Sequence, residues 1–247
     1  MNFRSLGIDE DICAALDSKS ITSPFPIQEQ AIPVALSGTD VIGQAKTGTG
    51  KTLGFGLPLL QSLGKDPEHG VQALVVVPTR ELAVQVAEDL ELAASNRSTQ
   101  IAAIYGGKAY EGQIAQIKAG AQVVVGTPGR LIDLAKQKLL DLGKIKFMVL
   151  DEADEMLSKG FKEQVQQIFS YLPENAQIAL FSATMPLEIL ELTHEFMKNP
   201  VQILVKSENL TLEGIRQFYV SVSNEDQKFD VLSDIYDTIS VSQGIIF

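Results

Sequence analysis

The chain has 247 residues and a formal net charge of −11, and its hydrophobic content of 45% beside 21% charged residues is that of an ordinary globular protein. This length suits one large domain, or one domain of about 200 residues plus part of another, and the acidic balance excludes a broadly basic protein that binds nucleic acid over its whole surface. No apolar stretch approaches the roughly 20 residues that a membrane span requires, and residues 1–5 lack the apolar core of a secretory signal, so we expect a soluble cytoplasmic protein with no membrane partner.

Short apolar runs alternate with longer amphipathic stretches, which is typical of an α/β fold with a mostly parallel sheet flanked by helices. The runs predicted as strands are 40–43, 73–77, 101–105, 122–126, 147–150, 178–181 and 201–205. Several are apolar throughout, as strands buried on both faces should be. The stretches predicted as helices include 51–63, 80–94, 161–171 and 186–197, the last with Pro186 at its start. Cys13, the only cysteine, permits no internal disulfide and no cysteine-rich zinc site, and we expect it to be buried.

The pattern changes after Val205. Polar residues 206–209 are followed by an apolar run at 215–222, a helical stretch at 227–239 and the apolar end 244–247. Because the chain stops on a strand-like run, we expect one domain over residues 1–207. We expect residues 208–247 to be a linker and the first elements of a second, incomplete domain.

Polar side chains and glycines gather where the predicted strands end. They lie at 78–80, 106–107, 127–130, 151–152 and 182–184. In an open α/β sheet, ligands bind at the edge formed by the carboxyl ends of the strands. The sequence therefore predicts a ligand site along this edge.

Residues 45–52 have the form of a phosphate-binding loop between a strand and a helix. Gly48 and Gly50 allow the tight path of such a loop, whose backbone N–H groups and helix N-terminus favour bound phosphate. Lys51 can reach the outer phosphates of a nucleotide, and the Thr52 hydroxyl can bind Mg²⁺. A chance glycine-rich turn is the alternative, although it does not explain a Lys-Thr pair placed directly before a helix. The predicted nucleotide-binding residues of this loop are Ala45, Lys46, Thr47, Gly48, Thr49, Gly50, Lys51 and Thr52.

Two adjacent carboxylates, Asp151 and Glu152, follow the apolar run 147–150. Asp151 suits a Mg²⁺ partner that acts through water, because Mg²⁺ dehydrates reluctantly. Glu152 can orient or deprotonate an attacking water. An acidic helix start, in which these side chains only complement the helix dipole, is the alternative. The phosphate-binding loop upstream favours the catalytic interpretation.

These segments together resemble the DEAD-box RNA helicases. Asp-Glu-Ala-Asp at 151–154 matches that family in order and form together with the segments at 45–52, 78–83, 106–107, 127–130 and 182–184, and the resemblance runs from residue 3 to residue 247. From Asp151 onward the chain looks most like the branch of eukaryotic translation initiation factor four-A. The first half looks more like bacterial and archaeal members, which leaves a composite chain as an open alternative. The resemblance implies a RecA-like P-loop NTPase domain, the start of a second RecA-like domain, and ATP-dependent RNA helicase activity with ATP and Mg²⁺ as cofactors.

The resemblance also implies roles for residues around the nucleotide. Gln28 matches the family glutamine that reads adenine through a donor and an acceptor, and Phe3 matches an upstream aromatic of the base site. Ile21 stands where the family usually has an aromatic that packs on adenine, so apolar contact is expected to replace ring stacking. Ser182 and Thr184 match the segment that links hydrolysis to RNA and to domain closure. On propensity alone, they could cap a helix before Pro186.

A further set of positions resembles the residues of the family that contact RNA. Hydroxyls, guanidinium groups and glycine amides can approach a phosphate backbone without reading bases, which suits sequence-independent binding of single-stranded RNA. Arg80 and Arg130 could otherwise be helix-start residues with salt-bridge partners. The predicted RNA-binding residues are Pro78, Thr79, Arg80, Gly106, Gly107, Thr127, Pro128, Gly129 and Arg130.

The resemblance implies that the chain is the ATP-binding half of an RNA helicase. Its expected partners are RNA and translation or ribonucleoprotein factors. By resemblance, the arginines that stabilise the transferred phosphoryl group belong to the second domain beyond residue 247. We therefore expect this chain alone to bind adenine nucleotide, to hydrolyse it poorly and not to unwind RNA. Two alternatives stay open: a non-catalytic, nucleotide-gated RNA- or protein-binding module acting in translation initiation, and a DNA-directed motor, since the sequence does not display contacts to a 2′-hydroxyl.

Overall fold

The computed structural model describes residues 1–64, 70–107, 109–205, 218–239 and 242–245. The chain divides into two units, Met1–Ser207 and Glu208–Phe247. Within the described ranges, every helix is too short or too polar to span a membrane.

In the described part of the first unit, seven strands form one sheet. They are β1 (Val41–Gln44), β2 (Ala73–Val76), β3 (Ile101–Ile104), β4 (Val123–Gly126), β5 (Phe147–Asp151), β6 (Gln177–Ser182) and β7 (Val201–Leu204). A short 3-10 helix (Arg4–Leu6) precedes the α-helices of this unit. These are α1 (Glu10–Asp17), α2 (Pro26–Leu36), α3 (Lys51–Ser62), α4 (Arg80–Ala93), α5 (Tyr110–Lys118), α6 (Pro128–Lys136), α7 (Ala153–Ser158), α8 (Lys162–Phe169) and α9 (Leu187–Phe196).

The strands lie in the order β3-β4-β2-β5-β6-β1-β7, and all neighbouring pairs are parallel. The register aligns their carboxyl ends. Ile104 and Val76 both pair with Gly126, Val76 also pairs with Leu150, and Gln44 pairs with Ser182. The segments that follow these strands therefore begin along a single edge of the sheet.

Two apolar clusters cover the two faces of the sheet. Side chains alternate between the faces along a strand, so Val75 packs in one cluster with Phe55 and Phe181, while Leu74 packs in the other with Leu150. These side chains are buried almost completely. Helices on both faces explain why the strands are apolar throughout rather than alternating with polar residues.

All seven predicted strands are confirmed, with ends that differ by one residue. β3 stops at Ile104 because the backbone of Tyr105 pairs with a side chain instead: the Gln113 amide accepts from its N–H and donates to its carbonyl, both at 3.1 Å. β5 continues to Asp151, which pairs with Phe181. Asp40, predicted as a strand residue, precedes β1, and its carboxylate accepts the N–H of Ile178 at 2.8 Å.

The predicted helices are confirmed over most of their lengths. α8 ends at Phe169 rather than residue 171, and Pro186 precedes the first turn of α9 in an extended conformation, with φ −65° and ψ 165°. Cys13 is a free, buried thiol in α1, as predicted. In the described part of the second unit, helix α10 (Gln227–Thr238) corresponds to the stretch predicted at 227–239. Residues 206–217 and 246–247, and with them parts of the two predicted apolar runs, lie outside the described residues, and residues 218–222 form no strand.

Gly126 at the end of β4 provides a test of the close approach between strands. A Cβ at this position would lie 2.5 Å from the Ile104 carbonyl oxygen and 2.8 Å from Leu131 Cδ2. Gly126→Ala is therefore expected to lower the free energy of unfolding by about 1–3 kcal/mol, because neighbouring backbone must shift. Urea denaturation followed by circular dichroism measures the change.

Gly112→Ala in α5 is the matched control. No atom lies within 4 Å of the added Cβ, and alanine favours a helix over glycine by up to about 1 kcal/mol, so this variant is expected to be slightly more stable. Equal effects of the two substitutions would contradict the packing argument at Gly126.

Candidate nucleotide and nucleic-acid site

The sheet order sorts the predicted binding segments into two neighbouring groups. The segments after β5, β6 and β1 adjoin one another on one half of the edge, and those after β3, β4 and β2 adjoin one another on the other half. The first group holds the predicted nucleotide segments 151–154, 182–184 and 45–52. The second holds the predicted RNA segments 106–107, 127–130 and 78–80. β2 and β5 are neighbours, so the two halves meet between Val76 and Leu150.

The loop between β1 and α3 has the backbone path of a phosphate cradle. Gly48 and Gly50 adopt φ of +81° and +82°, a region that only glycine enters freely, and α3 begins directly at Lys51. Gly50 is also confined by a neighbour: an added Cβ would lie 2.4 Å from Gln28 Nε2. The loop starts at Ala45, whose N–H donates to the Ser182 carbonyl at 3.1 Å. These contacts hold the N–H groups at the start of α3 beside the ends of β1 and β6.

The Lys51 ammonium is the unusual charge of this loop. Its side chain is only 6% exposed, and among the described residues Nζ has no hydrogen-bond partner. A buried ammonium without a partner is costly, and a ligand that supplies negative charge removes that cost. The position suits an anion, because Lys51 is the first residue of a twelve-residue helix whose N-terminus favours negative charge.

Asp151 is the counterpart of Lys51 at the end of β5. Its side chain is buried, with Oδ1 accepting the Glu152 N–H at 3.0 Å. Burial raises the pKa of this carboxyl from 3.8 to about 6, although the positive charge of Lys51 pulls in the other direction. The carboxylate form is thus disfavoured until a cation or a donor reaches it.

Glu152 occupies a strained backbone position between β5 and α7. Its φ of 51° and ψ of 49° are left-handed, which a non-glycine residue adopts at a cost of roughly 1–3 kcal/mol. Burial raises the pKa of its carboxyl, with further contributions from Glu155 and Asp151. Thr47 Oγ1 donates to Glu152 Oε1 at 3.3 Å, so this carboxylate faces the phosphate loop. A carboxylate whose pKa is raised is a better proton acceptor, which suits the predicted role at an attacking water.

Ser182, Thr184 and Asp154 form a hydrogen-bonded link between β6 and α7. The Thr184 N–H and hydroxyl both donate to Asp154 Oδ2, at 2.9 and 2.7 Å, and the Asp154 N–H donates to Ser182 Oγ at 3.2 Å. Burial alone would raise the pKa of Asp154, but hydrogen bonds from Thr184 and Ser182 outweigh it and lower the pKa. The alternative that Ser182 and Thr184 cap the helix at Pro186 is therefore wrong, because Ser182 accepts an N–H from the first turn of α7 and α9 begins without a side-chain cap.

Of the two residues assigned to the base by resemblance, Gln28 lines the cavity beside the phosphate loop and Phe3 does not. Gln28 is 1% exposed; its Oε1 accepts the Phe25 N–H at 2.9 Å, and its Nε2 donates to the Gly50 carbonyl at 2.8 Å. Both ends of this amide are thus engaged with backbone, and the side chain fastens the phosphate loop to α2. Phe3 packs in the apolar core and does not line the cavity beside the loop. Its aromatic ring is buried and supports the domain.

A cavity of about 340 Å³ extends from the phosphate loop to the inner side of α4. Ile21 lines it, as predicted, together with Phe25 and Ser23 of the same loop. Leu82, Gln85, Asp89 and Leu92 of α4 also line it; Leu82 belongs to the motif at 78–83 but was not assigned to the nucleotide, and the other three lie outside the motifs. Their spacing of three and four residues places them on one helix face, which is the signal the sequence contains. A second cavity, of about 640 Å³, opens on the other side of Lys51 and Glu152, beside Asp154 and Thr184.

The other half of the edge presents helix starts and a glycine turn. Thr79 caps α4, with Oγ1 accepting the Leu82 N–H at 3.2 Å, and Thr127 precedes α6. Gly107 has φ of +82°, and an added Cβ there would lie 4.0 Å from Arg80 Nη1, so the turn and the start of α4 are neighbours. Gly106 and Gly129 are exposed, whereas the rings of Pro78 and Pro128 are buried and shape the loops instead.

Both arginines of this half have contacts within the chain. Arg80 Nε donates to Glu81 Oε1 at 2.6 Å, and both side chains are exposed. The Arg130 guanidinium lies 4.1 Å from the centre of the Tyr110 ring. A salt-bridge partner was therefore correctly anticipated for Arg80, while Arg130 packs on an aromatic ring. Exposed pairs of this kind are weak, so Arg80 can exchange its partner for a phosphate at little cost.

Comparison with known proteins gives matches along the whole chain. The profile of the family described as DEAD/DEAH box helicase matches residues 25–192. The ATP-dependent RNA helicase eIF4A of Debaryomyces hansenii is 46% identical over 245 residues, which are 99% of this chain and 62% of that protein. The DEAD-box ATP-dependent RNA helicase CshA of Streptococcus pneumoniae is 46% identical over 247 residues, 100% of this chain and 47% of that protein. The crystal structure of a DEAD box protein from the hyperthermophile Methanococcus jannaschii has a TM-score of 0.80 at 40% identity, with 95% of this chain and 63% of that chain covered. The chain thus spans less than two thirds of these relatives.

The opposite pKa shifts of Asp151 and Asp154 predict opposite effects of two conservative substitutions on stability. The pKa of Asp151 is raised from 3.8 to about 6 on folding, so its ionisation opposes folding; this penalty is absent below about pH 4 and complete above about pH 6. Asp151→Asn is expected to increase the free energy of unfolding at pH 7 by about 1–3 kcal/mol, with a difference that vanishes near pH 4. Denaturant titrations at several pH values measure it.

Asp154→Asn is the matched control. The pKa of Asp154 is lowered on folding, so its ionised form stabilises the fold above its unfolded pKa, and this contribution disappears as the pH falls. The variant is expected to be less stable than the parent at pH 7, by an amount that shrinks in acid. The same pH dependence in both variants would contradict the assigned causes.

Proposed function

Because this chain belongs to the DEAD/DEAH box helicase family, as its motifs predicted, we propose that it is the ATP-binding domain of an ATP-dependent RNA helicase. In this proposal it binds ATP with Mg²⁺ on one half of the sheet edge and the backbone of single-stranded RNA on the other. The observation that carries the proposal is the buried Lys51 ammonium, which has no hydrogen-bond partner among the described residues and stands at the start of α3. A triphosphate supplies the negative charge that this position lacks.

Each loop residue then has a distinct role toward ATP. The N–H groups of residues 48–52 cradle the phosphates, and Lys51 neutralises the outermost ones. Mg²⁺, when bound, spreads positive charge over the phosphate oxygens, and the Thr52 hydroxyl and Asp151 would hold it, the latter through water. No set of three or more histidine, cysteine, aspartate or glutamate side chains in the described ranges is arranged to hold a metal. A nucleotide-bound Mg²⁺ does not require such a set, because the phosphates supply further ligands.

Glu152 acts as the base that orients the attacking water in this proposal. Its raised pKa and its position opposite Thr47 support this role. Ser182 and Thr184, which the resemblance placed among the catalytic residues, contribute through Asp154 in this proposal. They hold Asp154, and with it the start of α7 directly after the two catalytic carboxylates, so we assign them a positioning role.

RNA binding is proposed for the half of the edge after β3, β4 and β2. The starts of α4 and α6, the Gly106–Gly107 turn and the side chains of Arg80 and Arg130 offer donors to phosphate without a pattern that reads bases. An acidic chain can bind RNA in this way because only the local potential must be positive. The parallel pair β2 and β5 supports coupling between the two ligands, since each strand ends in a segment of a different half.

The activity of a whole helicase, with translation factors as partners and a cytoplasmic location, is likewise proposed. It is supported by the names of the relatives, among them the eukaryotic initiation factor 4A of Caenorhabditis elegans, 44% identical over 246 residues and 61% covered by this chain. The second candidate is a nucleotide-gated binding module without turnover.

The first test is nucleotide binding and turnover by two variants. Lys51→Ala is expected to weaken ATP binding by roughly thirty-fold or more, since removing one partner of a buried charge contact costs about 2 kcal/mol or more. Glu152→Gln is expected to bind ATP as the parent does but to lose turnover in a chain that carries the complete second domain. Calorimetric titration and a phosphate-release assay measure these two quantities.

Lys118→Ala, an exposed lysine at the end of α5, is the control for loss of charge and is expected to bind ATP normally. Equal turnover by Glu152→Gln and the parent would favour the binding module over the enzyme. Unchanged ATP affinity in Lys51→Ala would remove the basis of the proposal.

The second test concerns RNA. Arg80→Ala and Arg130→Ala are each expected to weaken binding of single-stranded RNA to a similar extent for different sequences, and to reduce the slope of log affinity against log salt by about one. Fluorescence anisotropy with a nonhydrolysable ATP analogue measures both quantities. Arg4→Ala is the control, because Arg4 is tied to Glu10 and Asp17 away from this edge. Equally tight binding of matched single-stranded DNA would favour the DNA-directed alternative.

A further inference from the structure

A groove of about 590 Å³ lies against β3, which is an outer strand of the described sheet. Its apolar floor consists of Ile101 and Ala103 of the strand together with Val84 and Ala87 of α4. α5 forms the opposite wall, where Gly112 contributes no side chain. We call this feature the edge groove. The residues that line it belong neither to the predicted nucleotide site nor to the predicted RNA site.

The outer side of β3 carries unpaired backbone groups. The Ile104 carbonyl accepts the Thr127 N–H at 3.0 Å, so the backbone of Ile104 faces β4. Because this direction alternates along a strand, Ile101, Ala103 and Tyr105 turn their N–H and C=O groups away from the sheet. In the part of the chain that the structure describes, nothing pairs with these groups of Ile101 and Ala103. An open row of this kind is a template for another strand.

The outward groups of Tyr105 are already paired by a side chain. The buried Gln113 amide accepts its N–H and donates to its carbonyl, both at 3.1 Å. Residues that face each other in an antiparallel ladder exchange the same two hydrogen bonds. Gln113 thus occupies the first place of a ladder beside β3, and the next two places, at Ala103 and Ile101, stay open.

The charge of the edge groove indicates what can occupy it. Glu88 and Glu91 are the charged side chains in its described lining; both are exposed, and neither has a salt-bridge partner among the described residues. They lie on the same face of α4 as Val84 and Ala87. A lysine or arginine can pack its stem on this apolar floor while its charged head reaches the carboxylates. The same carboxylates repel a phosphate backbone, which disfavours nucleic acid as the occupant.

We propose that the edge groove is a docking site for an extended basic segment of a partner protein, which adds to β3 as an outer strand. Hydrogen bonds to Ile101 and Ala103 hold the backbone of this segment. Every second side chain is lysine or arginine and lies on the α4 side, near Glu88 and Glu91. The side chains between them are small, because they face α5 at Gly112. This docking site is separate from the proposed nucleotide and RNA sites.

The test of strand addition uses a fluorescent hexapeptide that alternates lysine and threonine, with binding to the 247-residue chain followed by anisotropy. Two further forms of the peptide carry N-methyl groups either on the lysine amides or on the threonine amides. A strand points the N–H groups of alternate residues toward its neighbour, so one methylated form is expected to lose binding and the other to keep it. Equal affinity of the two methylated forms, or no binding of the unmethylated peptide, would overturn the proposal.

The carboxylates are tested by single substitutions. Glu88→Gln and Glu91→Gln are each expected to weaken peptide binding by about threefold, the size of one exposed ion pair, and to reduce its salt dependence. Glu111→Gln is the matched control, since this exposed glutamate of α5 does not line the groove, and it is expected to bind the peptide as the parent does. Equal losses in all three variants would indicate attraction to the acidic chain as a whole and would contradict the assignment to this groove.

Gly112→Leu tests the groove without changing a charge. No atom lies within 4 Å of an added Cβ, and leucine favours a helix over glycine, so the variant is expected to fold and to bind ATP as the parent does. Its side chain enters the groove and is expected to weaken peptide binding by about tenfold or more. Unchanged peptide binding would overturn the proposal and leave the proposed function intact.

Hydrogen exchange measured by NMR locates the bound peptide. The Ile101 and Ala103 amides of the parent are expected to exchange more slowly when the peptide is bound, and unchanged exchange at both would overturn strand addition. Sedimentation of the free chain tests the other occupant of such an edge. A dimer of the parent that Gly112→Leu abolishes would overturn the proposal in favour of a second copy of this chain.

Discussion

A buried ammonium and a buried carboxylate at the carboxyl edge of one parallel sheet are the constraint around which the nucleotide half is arranged. Lys51 begins α3 and Asp151 ends β5, and each is removed from water with its charge incompletely compensated. Burial raises the pKa of Asp151, and the positive charge of Lys51 offsets this effect only in part. Such a pair is weak evidence for a stabilising contact. We interpret the pair as a ligand site, in which a bound ligand supplies the charges that compensate Lys51 and Asp151. Burying these two charges lowers the stability of the free protein, and ligand binding restores it.

The sheet order places the two proposed ligand sites along one edge. The chain crosses from one half of the sheet to the other after β1 and returns after β4, so the segments 45–52, 151–154 and 182–184 lie on one side and 78–80, 106–107 and 127–130 on the other. Parallel register makes these segments begin at nearly the same level. Within the sheet the halves meet at the neighbouring strands β2 and β5, and above it α3 packs against α4. Glu152, whose φ of 51° is strained, follows β5, and α4 begins after the neighbouring strand β2. A backbone movement at Asp151 and Glu152 would therefore occur one strand away from the start of α4.

Much of this arrangement could be predicted from the sequence because it is local. Uninterrupted apolar runs such as 147–150 predicted strands buried on both faces, and Lys51 directly before a helix predicted the phosphate loop. What could not be predicted depends on side chains from distant segments. Gln113 ends β3 by pairing with the backbone of Tyr105, and Gln28 binds Gly50 across 22 residues of sequence. The face of α4 that carries Asp89 is visible as a helical spacing, but only the packing of α4 against the residue 21–28 loop shows that it lines a cavity.

Gln28 also shows why the phosphate loop and the cavity beside it should not be treated as independent. Its carbonyl oxygen caps the start of α2 through the Phe25 N–H, while its amide group holds Gly50 in a left-handed conformation that an added Cβ could not share with it. Phe25 lines the cavity, and Gly50 lies in the phosphate cradle. If a base draws the Gln28 amide away from either partner, the cradle loses one of the contacts that fix its shape. The Gln28 nitrogen has a second N–H and its oxygen a second lone pair, so the same amide can hold the phosphate loop and still offer a donor and an acceptor to the cavity that it lines. One side chain therefore couples the shape of the phosphate loop to whatever occupies that cavity.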